Sequence, residues 1–269
     1  MSVDIKLASS VMIFDILACF LFLFNGIMDS AGLNSYLAIN SVCNLNGFLV
    51  YFLPISSISI VGVLSLERCL LIVYKKKYSG YFYSAIVGCF ILLNILLCLV
   101  CWLYQGFRIA PISVYCSFDT STKGGLAGSA LAVVSVGLSD IFVMVAYPLI
   151  CIARVNHSRK MKLELGLNPD KVNLQVRSTI YKSLALILFS AITNGPYLIL
   201  VLMSWADHSK ISPGLDFVQA ACATSSTFIN TLILLNMQPE LWSAIQRLWR
   251  LKSDSDTSDG LLYNVYEIN

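Results

Sequence analysis

The sequence predicts an all-α membrane protein, a bundle of six transmembrane helices followed by a short helix at the membrane surface. Three observations carry this prediction. Of 269 residues, 57% are hydrophobic and only 12% charged, about half the quarter that is usual in soluble domains. The mean hydropathy of +0.76 is more than a 29.7 kDa globule can hide in its core, because small domains keep most residues near water. The charges also leave long gaps. No Asp, Glu, Lys or Arg occurs in residues 30–66, 78–107, 183–206 or 217–239, and stretches 7–28 and 124–153 each hold one acid, Asp15 and Asp140. A helix needs about 20 apolar residues to cross ~30 Å of hydrocarbon, whereas buried helices of soluble proteins give runs of about 10 to 14. A membrane β-barrel would show alternating segments of about 10 residues. The same composition excludes a disordered chain, a nucleic-acid binder and a secreted disulfide scaffold.

The first span, residues 7–28, carries an acid in its middle and lacks both a basic leader and a small-residue cleavage site, so it reads as a span and not a signal peptide. The second, 39–74, is overlong and extends into the cytoplasm. The others are 81–104, 127–153, 179–205 and 215–237. Pro54, Pro148 and Pro196 fall in the second, fourth and fifth, where each withdraws an N–H, frees a carbonyl and predicts a kink. Residues 154–176 form the one long connection, polar and basic, in which Gly166 and Pro169 are expected to break any continuous helix. Beyond Pro239, Leu241, Trp242, Ile245, Leu248 and Trp249 recur at helical spacing, as in a helix lying in the interface. An acidic Ser/Thr tail ends the chain. No repeat or linker divides residues 1–238, which form one bundle; residues 239–269 are the cytoplasmic helix and tail.

Orientation follows from the basic residues. With the N-terminus inside, only Arg108, Lys123 and Lys210 of the 18 Lys and Arg fall outside, as the positive-inside rule requires. Both termini are then cytoplasmic.

Polar groups within spans are costly and point to function or close pairing. Asp15 is mid-span, and Ser57, Thr227 and Asn230 are short polar groups that could face it. Asp140 stands alone in the fourth span, and Asn194 precedes Gly195-Pro196. No residues support catalysis: His157 and His208 are both in loops, so the chain is not expected to be an enzyme.

Cys43 opens the second span, and Glu67-Arg68-Cys69 follows 24 residues later at its inner end. Tyr115-Cys116 lies in the next outer loop, Pro148 in the fourth span, Asn194-Gly195-Pro196-Tyr197 in the fifth and Asn230-Thr231 in the last; Asp15 precedes Cys43 by 28 residues. In this order the landmarks resemble the rhodopsin-like (class A) G-protein-coupled receptors over nearly the whole chain, with the six spans matching helices two to seven of that fold. The family's first helix has no counterpart, so the chain resembles a divergent or truncated member. Other departures are Cys69 for the Tyr of acid-Arg-Tyr, Asn194 for the Trp of Cys-Trp-x-Pro, and Asn230-Thr231-Leu232-Ile233-Leu234 for Asn-Pro-x-x-Tyr. The family's usual Trp in the middle of the third span is also missing; Trp102 lies too near the outer end.

The resemblance implies a plasma-membrane receptor that passes an extracellular ligand signal to a heterotrimeric G protein. It implies a Cys43–Cys116 disulfide and a coupling switch at Glu67 and Arg68, whose alternative is an Arg that snorkels to headgroups. The other seven cysteines read as packing residues without zinc spacing. Asp15, Ser57, Ser226, Thr227 and Asn230 match the family's sodium pocket, or form a hydrogen-bond network between helices without an ion; no other metal is implied. Asp140, Asn194 and Tyr197 are candidate ligand contacts that suit a polar or cationic group. Val50 stands where amine receptors carry Asp, and Thr224 where opsins carry the retinal Lys, which argues against an amine held there and against covalent retinal. Two alternatives remain at this stage: a truncated, non-signalling receptor that dimerises with a full-length relative, and a small ion-coupled transporter using Asp15 and Asp140.

Overall fold

The structure, a computed structural model, describes residues 3–165, 169–207, 212–237, 242–243 and 246–247. Its helices are α1 (Val3–Ser30), α2 (Asn40–Ile72), α3 (Gly80–Leu103), α4 (Lys123–Leu165), α5 (Pro169–Ala206) and α6 (Pro213–Met237). All six expected spans are present, and each carries a stretch long and apolar enough to cross a membrane. The chain is a multi-pass α-helical membrane protein. The surface helix expected after Pro239 and the acidic tail lie outside the described residues, apart from residues 242–243 and 246–247.

One expectation is corrected. Most of the connection 154–176 is helical, because α4 runs on to Leu165 and α5 already starts at Pro169. Residues 159–165 read Arg-Lys-Met-Lys-Leu-Glu-Leu, all good helix formers, and Pro169 occupies a first helical position, where its missing N–H costs nothing. Pro54, Pro148 and Pro196 each lie inside a helix without ending it.

Consecutive helices pack against one another, α6 closes on α1, and α2 crosses the ring to meet α4. The centre of the bundle is therefore α2. Its most apolar stretch is 72% buried, against 22–39% for the other spans. Small residues let it sit there: a Cβ on Gly62 would lie 2.9 Å from the Ser139 Cα of α4, so the two backbones meet with nothing between them. Phe20, Leu92, Ile141, Ile199 and Phe217 are exposed, while Asp15, Asn94, Ser135 and Asn194 are buried. This polarity, apolar outside and polar inside, suits a lipid surround.

Asn94 of α3 is fully buried and holds three helices together. Its Nδ2 donates to Ser56 Oγ (3.2 Å) and Ser59 Oγ (3.4 Å) of α2, and its Oδ1 accepts from Ser135 Oγ of α4 at 2.7 Å. Ser59 and Ser135 also touch each other at 3.2 Å.

Between α3 and α4 lies an antiparallel hairpin, β1 (Phe107–Ile109) and β2 (Cys116–Phe118), pairing Ile109 with Cys116. Strands this short carry no alternation a sequence could reveal. Gly106 and Gly125 allow the hairpin to fold onto the start of α4, since a Cβ at Gly106 would come within 2.3 Å of the Gly125 nitrogen.

Candidate functional site

A cavity of about 160 Å³ runs from the hairpin towards the middle of the bundle. Every helix except α3 contributes to its lining, together with Ile112, Val114 and Tyr115 from the hairpin. The roof is fixed covalently. Cys43 and Cys116 are joined, with Cα atoms 5.5 Å apart, so the disulfide implied by the resemblance ties the hairpin to the first turns of α2. Phe118 of β2 lies over Tyr51 of α2 with ring centroids 3.9 Å apart, and Phe107 lies 5.4 Å from Phe118. On the far side, the Asp216 carboxylate in the first turn of α6 accepts from the Tyr115 hydroxyl and from the Ile112 N–H.

The floor is Asp15, 2% exposed. Its Oδ1 accepts from Ser57 Oγ of α2 at 2.5 Å and its Oδ2 from Thr231 Oγ1 of α6 at 2.9 Å. Ser226, Thr227 and Asn230 line the same cavity, with Asn230 Nδ2 donating to Ser226 Oγ at 3.3 Å and Thr227 Oγ1 3.5 Å from Cys19 Sγ. The four residues expected around Asp15 therefore line the same cavity, but the direct partner on α6 is Thr231, which sequence reasoning missed. Asn230 and Thr231 are neighbours, about 100° apart around the helix, and register that fine follows only from packing. No basic side chain pairs with Asp15 among the described residues. One carboxylate with several neutral hydroxyl and amide oxygens around it fits a hard cation.

The three expected ligand contacts divide. Asn194 and Tyr197 line the cavity and Asp140 does not. Asp140 Oδ1 accepts from Ser190 Oγ and Asn194 Nδ2 of α5, both at 2.9 Å, so its carboxylate joins α4 to α5 behind the wall. Val50 and Thr224 are both on the wall.

Asn25, Asn46 and Tyr36 also escaped notice in the sequence. Asn25 Oδ1 accepts from Asn46 Nδ2 at 2.9 Å and from the Tyr36 hydroxyl at 3.2 Å, and Asn46 Oδ1 accepts from the Cys116 N–H at 3.0 Å. The available signal was an Asn three residues after Cys43, hence on nearly the same helix face as the disulfide. Burial, with the nearby Asp29 carboxylate adding to it, holds the Tyr36 hydroxyl above its ordinary pKa, so it stays a donor.

At the other end of α2, Glu67 is buried and Arg68 half-buried. Glu67 Oε2 has no hydrogen-bond partner among the described residues.

No protein-family model matches the sequence, and no curated protein matches it. Solved structures do. The chain is similar to the crystal structure of squid rhodopsin, with a TM-score of 0.61 and 15% identity over 96% of this chain and 89% of that one. The chain shares the helical-bundle fold of that rhodopsin.

Proposed function

We propose that the chain is a plasma-membrane receptor that takes an extracellular ligand into the cavity and signals to a heterotrimeric G protein at the Arg68 end. The observation that carries this is the cavity itself: roofed by a disulfide-tethered hairpin, walled by α5 and α6, and floored by a carboxylate that bonds both α2 and α6. A ligand that displaces α6 from α2 must break one of the two Asp15 hydrogen bonds. Asp15 is thus a contact that differs between two packings, as a ligand-biased equilibrium needs. From Ser57 to Arg68 is eleven residues along α2, roughly 16 Å at the helical rise. The signal therefore travels half a membrane along one continuous helix.

Arg68 is the coupling group, an always-charged fork with five donors. In the resting packing Glu67 beside it restrains the side chain, and on activation Arg68 meets the partner. A sodium ion held by Asp15, Ser57, Ser226, Thr227 and Asn230 would supply positive charge beside the buried carboxylate and favour the resting packing. The hairpin end faces the outside and both termini face the cytoplasm, consistent with the distribution of Lys and Arg.

The test is nucleotide exchange on purified heterotrimeric G proteins by the chain in nanodiscs, without added ligand. Glu67→Gln is expected to raise basal exchange several-fold, and Glu67→Gln with Arg68→Ala to return it to that of empty discs. Exchange no greater than empty discs for every form would refute signalling and favour the truncated receptor. Sodium flux through reconstituted vesicles would instead favour the transporter.

A further inference from the structure

Among the described residues, two buried hydrogen-bond donors on the cavity wall have no acceptor. They are Asn25 Nδ2, on a residue 1% exposed, and the Tyr197 hydroxyl. The orientation of the Asn25 amide is dictated by its neighbours. A backbone N–H can only donate, so the Asn46 atom facing Cys116 N must be the carbonyl oxygen. Asn46 therefore turns its NH2 towards Asn25, and the Asn25 atom that meets it must be Oδ1. The Tyr36 hydroxyl donates to the same oxygen. Asn25 Nδ2 is left over, and flipping the amide would set it against the Asn46 NH2, donor against donor.

Of the other donors on the wall, those of Ser57, Tyr115, Thr193, Asn194, Thr224, Thr227 and Asn230 each have a partner within the protein. The charge inventory is equally restrictive. Among the described residues no Lys, Arg or His lines the cavity, so an anion there would lose its hydration without a counter-charge. Asp15, the one carboxylate among the described lining residues, lies at the floor bonded to Ser57 and Thr231, and the sodium ion proposed there would balance its charge. The remaining surface is apolar, with Phe22, Val50, Ile55, Ile58, Val136 and Ala223 prominent.

We infer that the cavity binds an electrically neutral, mainly apolar molecule whose carbonyl or ether oxygens accept hydrogen bonds from Asn25 Nδ2 and the Tyr197 hydroxyl. This deepens the receptor proposal by naming the ligand class, and it rests on that proposal only in taking the cavity as the ligand site. A buried donor left unpaired is costly, and an acceptor of matching position relieves that cost on binding. The preference follows from unfilled donors and not from the general apolarity of a membrane cavity.

The test uses three ten-carbon probes differing in head group: 2-decanone, decanoate and decylammonium. Each is titrated against the chain in nanodiscs, and the melting temperature is read by a thiol-reactive dye as the buried Cys98 and Cys101 become accessible. The ketone is expected to raise the melting temperature, and the two ions are not. Tyr197→Phe removes a hydroxyl that has no partner, so the unliganded variant should fold as the parent does. Its half-effect concentration for the ketone should rise about five- to tenfold, the loss of one hydrogen bond. Asn25→Asp keeps the oxygen that Asn46 and Tyr36 need and exchanges the free donor for an acceptor, so it should weaken the ketone to a similar degree. No protection by the ketone, equal protection by either ion, or an unchanged half-effect concentration in Tyr197→Phe would each overturn the inference. Ketone binding without nucleotide exchange would leave it standing and defeat the receptor proposal instead.

Discussion

The Tyr115 hydroxyl donates a 2.6 Å hydrogen bond to the Asp216 carboxylate, and this bond joins the roof of the cavity to the first turn of α6. The second carboxylate oxygen takes the Ile112 N–H at 3.1 Å. Burial pushes the Tyr115 hydroxyl well above its ordinary pKa, and the nearby Tyr51 and Asp216 add to this, so it remains a donor at every physiological pH. One side of the roof is thus covalent and the other is polar and reversible.

Tyr115→Phe should open the α6 side of the roof. Hydrogen bonds to a charged acceptor contribute about 1.5 to 3 kcal/mol, so amide exchange over residues 107–118 should accelerate roughly tenfold or more. Mass-spectrometric hydrogen exchange reads this directly. Unchanged protection would mean the disulfide alone holds the hairpin.

Sodium should stabilise the parent chain. In nanodiscs, replacing potassium chloride by sodium chloride at equal ionic strength is expected to raise the melting temperature by a few degrees, as binding to the folded form alone predicts. Asp15→Asn should erase the difference between the two salts. Equal melting in both salts for the parent would identify the Asp15 cluster as a helix-to-helix network without an ion.

Asp140→Leu should lower stability by about 1 to 2 kcal/mol, because Ser190 and Asn194 lose their shared acceptor. Asp140→Asn should leave the ketone's half-effect concentration within a few-fold, since the carboxylate lies outside the lining. A larger change would bring Asp140 back as a ligand contact.

Epitope tags at Ser2 and Asn269 should stain only after cells are permeabilised. Surface staining of either tag on intact cells would refute the six-span scheme with both termini inside.

The spans were legible because a charge-free stretch of 20 or more residues has few other solutions. Cys43, Cys116 and the cluster around Asp15 were legible because each is an uncommon residue in a costly or covalently constrained place. What stayed hidden depended on register and on short-range geometry. Thr231 replaces its neighbours as the Asp15 partner through packing of α1 on α6. The hairpin strands are three residues each, too short for a pattern. Asp140 looked like an acid facing the cavity with Asn194 and Tyr197 near it; its bond to Ser190 and its place behind the wall depend on the tilt of α5. Residues 154–165 read as a loop because they are charged, yet charged residues with long unbranched side chains form exposed helix readily.

The buried Asn94 cluster gives the molecule a stator. With Asn94 bonded to Ser56, Ser59 and Ser135, and Gly62 in backbone contact with Ser139, α2, α3 and α4 cannot slide past one another without breaking several contacts in hydrocarbon, where no water replaces them. The polar links from α5 and α6 to the rest are scattered along the two helices and not gathered in one cluster: Asp140 with Ser190 and Asn194, Trp205 with Ser129, Thr120 with Ser204, Asp15 with Thr231, Cys19 with Thr227, and Asp216 with the roof. In the receptor proposed above those two helices would be the rotor. Arg68 lies on α2 and so belongs to the stator, and a signalling movement would have α5 and α6 shift past it.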